Sequence, residues 1–409
     1  MLINSLSKRL RYGFAVIGVF LILLPKINII SVSGQTAGLR IDDLVMFFLF
    51  LVYFFLVLKE GKINAGLGYV LFCVYIMIST LVIVISGRPA NFLYCIRLVE
   101  YFIFFVFGWC CFGRINIVNV FWLIFLCNAC IMTLQTLGFI GGFSSEGYAS
   151  SIPGRPIGLT GGPWEVGFLI NCAYAVFRLS SAKYKNIIFL LTFIFVLITG
   201  ARMPTLTHII IFFMFEFYES KNKLLSLIVY SIFLSVLLFF LLAFDNPVAD
   251  RSSNLFSMNN IDVFRDFYNS ITITDNFVEF PEFPVEQDAD MSWLMRVSKW
   301  AYVIKTWISS LGYIFFGVGV GTWGTALDGG WLRLLTETGL FGLFMFCVFL
   351  RNLINVMHMG YILVAVFSIN MFMIDIFISY KSMAALLFIC GYFVSASSSV
   401  KIYENYNSR

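Results

Sequence analysis

Three short segments of this 409-residue chain place an arginine beside glycine, proline or tryptophan. That combination sets a fixed positive charge on backbone able to approach a ligand closely. The first segment is Gly154-Arg155-Pro156-Ile157-Gly158-Leu159-Thr160-Gly161-Gly162-Pro163-Trp164-Glu165. Taken alone, it also fits an ordinary loop with one solvated arginine. The second is Thr199-Gly200-Ala201-Arg202-Met203-Pro204-Thr205-Leu206, set between two apolar runs with almost no polar spacer. Arg202 therefore falls at the edge of hydrocarbon, where a cation faces a wet cavity or fixed anion, or snorkels to headgroups. The third runs from Trp293 to Leu311, where Trp293, Val297, Trp300, Ile304, Trp307, Ile308 and Leu311 form one stripe at helical spacing. An amphipathic interfacial helix is predicted there, with Arg296 on the edge of the stripe. Downstream come Gly317-Val318-Gly319-Val320-Gly321 and Leu327-Asp328-Gly329-Gly330-Trp331. Asp328, just ahead of an apolar run, suits either a helix N-cap or a general base at the mouth of a cavity.

The elements that must position these residues are membrane helices. The chain is 60% hydrophobic and 12% charged, more apolar than a soluble protein of this length could conceal. Apolar runs of about 18 residues recur, each able to cross a ~30 Å hydrocarbon core as a helix. An all-α polytopic membrane protein is predicted, with about twelve spans near 12–30, 41–58, 66–86, 93–112, 117–140, 163–181, 186–201, 204–219, 224–244, 331–350, 355–378 and 381–399. One polar stretch, 245–330, interrupts them between the ninth and tenth spans. It holds eleven acids and five bases, against eleven and twenty-two in the rest of the chain. The expected division is thus 1–244, a loop domain or lid at 245–330 with an amphipathic helix at 293–311, and 331–409.

Lys59, Lys62, Arg114, Arg178, Lys183, Lys185, Lys221, Lys223 and Arg351 fall in alternate short loops. By the positive-inside rule both termini lie in the cytoplasm and 245–330 lies outside. The acidic run Asp275, Glu279, Glu282, Glu286, Asp288, Asp290 lacks the spacing of a calcium loop and reads as a solvated face or mobile lid. All nine cysteines fall in predicted spans, and His208 and His358 lie on opposite faces, so neither a disulfide framework nor a histidine metal site is expected. Arg97 and Glu100 share a helix face and are expected to pair, while Glu165, Glu337 and Asp375 must face protein or water.

In order and placement these segments resemble the O-antigen polymerase (Wzy) family and the related O-antigen ligases. The likeness rests on Gly-Arg155-Pro-x-Gly-Leu-Thr-Gly-x-Pro, on Thr-Gly-Ala-Arg202 with Leu206, on Arg296 ahead of Trp300, and on Asp328-Gly329 with Gly339 eleven residues after the aspartate. The ligase pattern has histidine where this chain has Asp328, which favours the polymerase. The resemblance implies a GT-C-like bundle with its periplasmic loop between helices 9 and 10. It further implies a metal-independent glycosyltransferase of the bacterial inner membrane, without cofactor and with a periplasmic active site. Donor and acceptor would be oligosaccharides on undecaprenyl diphosphate, with a chain-length regulator as a further partner and no nucleic acid. In that scheme Asp328 is the base, Arg202 and Arg296 hold the donor diphosphate, and Arg155 assists. Trp164, Glu165, Arg88, Trp300 and Arg333 complete the expected substrate-binding set. The competing functions are an O-antigen ligase acting on lipid A core, a lipid-linked oligosaccharide flippase and a non-catalytic scaffold.

Overall fold

The computed structural model describes residues 8–25, 28–31, 38–40, 45–46, 48–49, 67–85, 92–142, 155–180, 184–243, 259–273, 291–324, 327–356 and 360–407. Arg88, most of the predicted span 41–58, the acidic run 275–290 and His358 lie outside these residues. Among the described residues the protein is helical apart from one antiparallel ribbon, in which Asn28–Ser31 pairs with Gly38–Arg40. The helices are α1 Lys8–Leu23, α2 Leu67–Ile85, α3 Phe92–Cys111, α4 Ile117–Thr136, α5 Pro163–Ser180, α6 Lys185–Ile198 and α7 Arg202–Glu219. They continue as α8 Lys223–Ala243, α9 Asn259–Ser270, α10 Met291–Ile308, α11 Leu311–Phe316, α12 Gly330–Val356, α13 Gly360–Asn370 and α14 Tyr380–Asn407.

Four of these contain stretches long and apolar enough to cross a membrane: Gly68–Ile85, Tyr94–Cys111, Ile117–Thr136 and Gly330–Asn355. Shorter apolar helices run over Lys185–Ile198, Lys223–Ile232, Gly360–Asn370 and Tyr380–Ala396. The centre of the bundle is the crossing of α3 with α14, where glycines let the backbones touch. A Cβ on Gly108 would lie 1.9 Å from the Phe388 carbonyl oxygen, and one on Gly391 equally close to that of Phe105. Without a hydrophobic drive between helices in lipid, such close approach is what gains dispersion energy. Phe104 and Tyr101 on α3 pack their rings against Tyr380 on α14.

Two elements differ from the sequence expectation. The run predicted as one span over 355–378 is helical only to Asn370; 371–375 is irregular, and a 3-10 turn follows at Ile376–Ile378. The turn-forming polar groups Asn370, Asp375 and Ser379 sit where the helix gives way. The amphipathic helix predicted at 293–311 is α10, but its buried face passes through Val297, Ser298, Ala301, Tyr302 and Thr306. Tyr302, predicted off the apolar stripe, is buried, whereas Trp300 and Trp307 are half-buried. The cause is that α9 and the residues around Val318, Trp323 and Leu327 cover that side, forming a small second core with Ile271 and Tyr313. Lys305 Nζ ties α10 to α9, donating to the carbonyls of Tyr268 (2.8 Å) and Ile271 (2.7 Å) at the negative end of α9.

Candidate functional site

Asp328 sits on a strained turn between the second core and α12. Its φ is +55°, the one positive φ outside glycine among the described residues, and non-glycine residues held there mark sites over-determined by their surroundings. The determinants are visible. Asp375 Oδ2 accepts from Leu327 N (2.9 Å) and its Oδ1 from Gly329 N (3.2 Å), gripping the backbone on both sides of Asp328. Trp300 Nε1 donates to Leu327 O at 3.2 Å, and the same indole stands where a Cβ on Gly329 would lie. Asp375 is held in turn by Arg333 Nη1 (3.0 Å), while Arg333 Nε donates to Glu337 Oε1 (3.1 Å) and Nη2 to Gly324 O. Arg333 is fully buried, so its place is inside the scaffold that shapes the turn.

The Asp328 carboxylate points to Arg296, whose Nε and Nη2 both reach Oδ2 at 3.0 Å. The carboxylate is thus ion-paired to Arg296 and does not cap α12: Gly329 N donates to Asp375 and Trp331 N to Met371 O. Oδ1 has no hydrogen-bond partner among the described residues, and the side chain is 36% exposed. Burial pushes the Asp328 carboxyl above its ordinary range and the Arg296 guanidinium pulls it back; proximity to Asp375 adds to the rise. Lys299, one turn along α10, has its ammonium lowered by burial and supported by Asp328 and Asp375. A carboxylate with one oxygen open and its basicity raised is suited to accepting a proton from a hydroxyl.

The glycine-rich segment is pinned as firmly. Gln135 Oε1 accepts from Ile157 N and Gly158 N at 2.9 Å, and its Nε2 donates to Gly158 O at 3.2 Å. Asn128 Oδ1 accepts from Leu159 N at 3.0 Å. Both amides project from α4, so the loop rests on that helix, with Gly158 at φ +59°. Arg155 then reaches across to the break between α6 and α7. Its Nε donates to Thr199 O and its Nη2 to Gly200 O, both at 3.1 Å. Arg202 opens α7 at that break, so the first and second arginine segments meet there. Trp164 lies half-buried at the start of α5.

Glu165 connects this loop to the Asp328 turn. Its Oε2 accepts from Gly161 N (2.8 Å), and its Oε1 from Ser379 Oγ (2.5 Å) and Lys381 N (3.2 Å). Segment 371–379 thus carries Asp375 to one side and Ser379 to the other. Gly167 on α5 abuts Pro204 on α7, which sets Glu165 beside the Arg202 end of α7. Trp331 N donates to Met371 O at 3.0 Å, bringing α12 to the same place. Arg155, Glu165, Arg202, Arg296 and Asp328 therefore gather at one end of the bundle. Glu165 and Arg333, expected to touch substrate, instead bond to groups within the protein, and both are buried.

The sequence signalled the arginines and Asp328, and Asp375 only as an acid that must face protein or water; it gave no sign of Gln135. Gln135 and Asp375 lie in apolar surroundings, where a polar side chain implies an internal partner. No family model matches this chain, and no curated protein matches it.

Proposed function

We propose that this protein is an integral-membrane glycosyltransferase of the O-antigen polymerase type, with about twelve spans and the site on the periplasmic face. It would join lipid-linked oligosaccharide repeat units into a surface polysaccharide. The observation that carries the proposal is the Arg296–Asp328 pair, presented on a strained turn at the Arg155 and Arg202 end of an apolar helical bundle. A lipid-diphosphate leaving group needs charge stabilisation, and arginine offers a planar, always-charged fork for phosphate oxygens. In this scheme Arg296 turns from Asp328 Oδ2 toward the donor diphosphate with Arg202. Asp328 takes the proton of the acceptor hydroxyl as that oxygen attacks the donor's anomeric carbon. The bond from that carbon to the diphosphate oxygen breaks, and the lipid diphosphate leaves with the electron pair. Arg155 keeps the 199–201 break in place.

The test uses purified protein in liposomes with lipid-linked repeat units and no ion gradient. Glycans lengthening with release of lipid diphosphate is the expected result. Unchanged glycans, or movement of the lipid across the bilayer without lengthening, would overturn the proposal. In cells, loss of the gene should leave core carrying a single repeat; bare core would indicate a ligase or flippase instead.

A further inference from the structure

The stretch 311–323 belongs by sequence to the polar, water-facing interruption, yet its contacts lie deep along two membrane-spanning helices. Val318 N donates to Thr336 O (2.9 Å) and Gly319 N to Glu337 O (3.0 Å). Those carbonyls are released because α12 breaks at Gly339, which has φ +68° and ψ −176°. On the other side, Val320 N donates to Thr80 Oγ1 (3.2 Å), and Tyr75 Oη donates to Thr338 O (2.8 Å) and reaches Phe316 O (3.5 Å). Gly339 is nine residues into α12 and Tyr75 ten residues before the end of α2, so at 1.5 Å per residue each lies roughly 13–15 Å from that end of its helix.

We propose that 311–323 is a re-entrant segment that enters and leaves the bilayer on the Asp328 side. Its outer surface faces lipid acyl chains. Irregular backbone at such depth is tolerated only where protein satisfies its polar groups, and here the amides of 317–320, Thr322 and Trp323 all have protein partners. Besides the bonds above, Gly317 N donates to Tyr313 O, Thr322 N to Gly319 O and Trp323 N to Glu337 Oε1. Residues 317–323 are all buried. The side chains left outside are apolar: Leu311, Phe315 and Phe316 are 74%, 42% and 53% exposed. They are continuous with the outer face of the candidate span α12. Phe315 and Phe316 have ring centroids 5.7 and 5.4 Å from Phe341, beside exposed Leu340 and Phe344. That continuity with a membrane-facing helix is what names hydrocarbon as the occupant. Close fit replaces side chains at the contact, since a Cβ on Gly317 would lie 2.2 Å from Glu337 O and one on Gly339 2.3 Å from Phe315 O.

The experiment puts photoreactive benzoylphenylalanine at Phe316, at Phe341 and at Ser270 in the full chain, reconstituted in phosphatidylcholine vesicles. An aromatic replaces an aromatic at the first two positions, so folding is preserved. The expected result is phospholipid adducts at 316 and 341 in comparable yield, attached at mid-chain carbons, and none at 270. Adducts at 341 but not at 316 would overturn the proposal. So would cross-links from 316 to protein, or lipid adducts at neither position, because another surface would then cover the patch. The proposal does not depend on the assigned glycosyl transfer and would survive its failure.

Discussion

At the scale of single residues, Asp328 and Arg296 act on each other before any substrate arrives. Burial favours the neutral acid and Arg296 favours the carboxylate, with burial the larger influence. The basic form is therefore lost at a higher pH than for an exposed aspartate, and the proposed glycosyl transfer should fall as pH drops through that raised value. Arg296→Gln removes the opposing charge, so the acid limb of kcat/KM should move to higher pH; an unmoved limb would dissociate Asp328 from the proton step. Asp328→Asn should lower kcat by about 10²–10⁴-fold, the usual contribution of a positioned base. Asp375 acts differently, holding Leu327 N and Gly329 N and balancing Arg333. Asp375→Asn leaves a buried guanidinium short of a partner. By the precedent of broken buried pairs it should cost about 3–5 kcal/mol, read as a fall in thermal midpoint together with lost activity.

Individual elements are shaped by where they stop. Helix α7 begins at Arg202 because Gly200, at φ +60°, ends the preceding turn, and Arg155 then binds the carbonyls exposed there. Helix α12 breaks at Gly339, and segment 317–319 takes up the carbonyls of Thr336 and Glu337. Gly339→Ala combines a left-handed backbone with a Cβ 2.3 Å from the Phe315 carbonyl oxygen. The strain alone is on the order of 1–3 kcal/mol. Thermal unfolding should register a loss at least that large, whereas Gly113→Ala, also at positive φ but with open space around it, should register the backbone strain alone. Equal losses would mean that the close approach of Gly339 to the Phe315 carbonyl contributes nothing.

On the scale of the whole molecule, polar clusters sit at both ends of the bundle. Opposite the site, Arg178 Nη2 binds Glu216 and Glu219 at 2.9 and 3.0 Å, and Lys185 Nζ binds the same two carboxylates at 2.9 and 3.3 Å. Tyr230 Oη adds a bond to Glu216 at 2.9 Å. This clamp joins α5, α6, α7 and α8, and Arg178 is thirteen residues from Glu165, roughly 20 Å along α5. Glu216→Gln should destabilise the fold by weakening the compensation of buried Arg178. Its effect should add to that of Asp375→Asn within about 0.5 kcal/mol, as expected of sites more than ~10 Å apart. The acid limb of activity should stay where it is. A shift of that limb in the clamp variant would reveal coupling through the length of α7.

What the sequence by itself determined was the local part. Apolar runs made membrane helices, glycines beside arginines marked the loops, and Asp328 stood out ahead of the Gly329-Gly330 pair. Hydropathy is a sum over neighbours in the chain, so it could find α2, α3, α4 and most of α12. It could not see that 355–378 stops being helical at Asn370, because Asp375 and Ser379 answer to partners 46 and 214 residues away. Only the tertiary structure decided that Asp375 grips the Asp328 turn, that Gln135 holds the glycine-rich loop, and that Arg333 faces inward. It likewise decided that 311–323 turns down along α2 and α12. There, hydrogen bonds to residues some 240 positions distant replace the water that its place in a polar stretch had suggested.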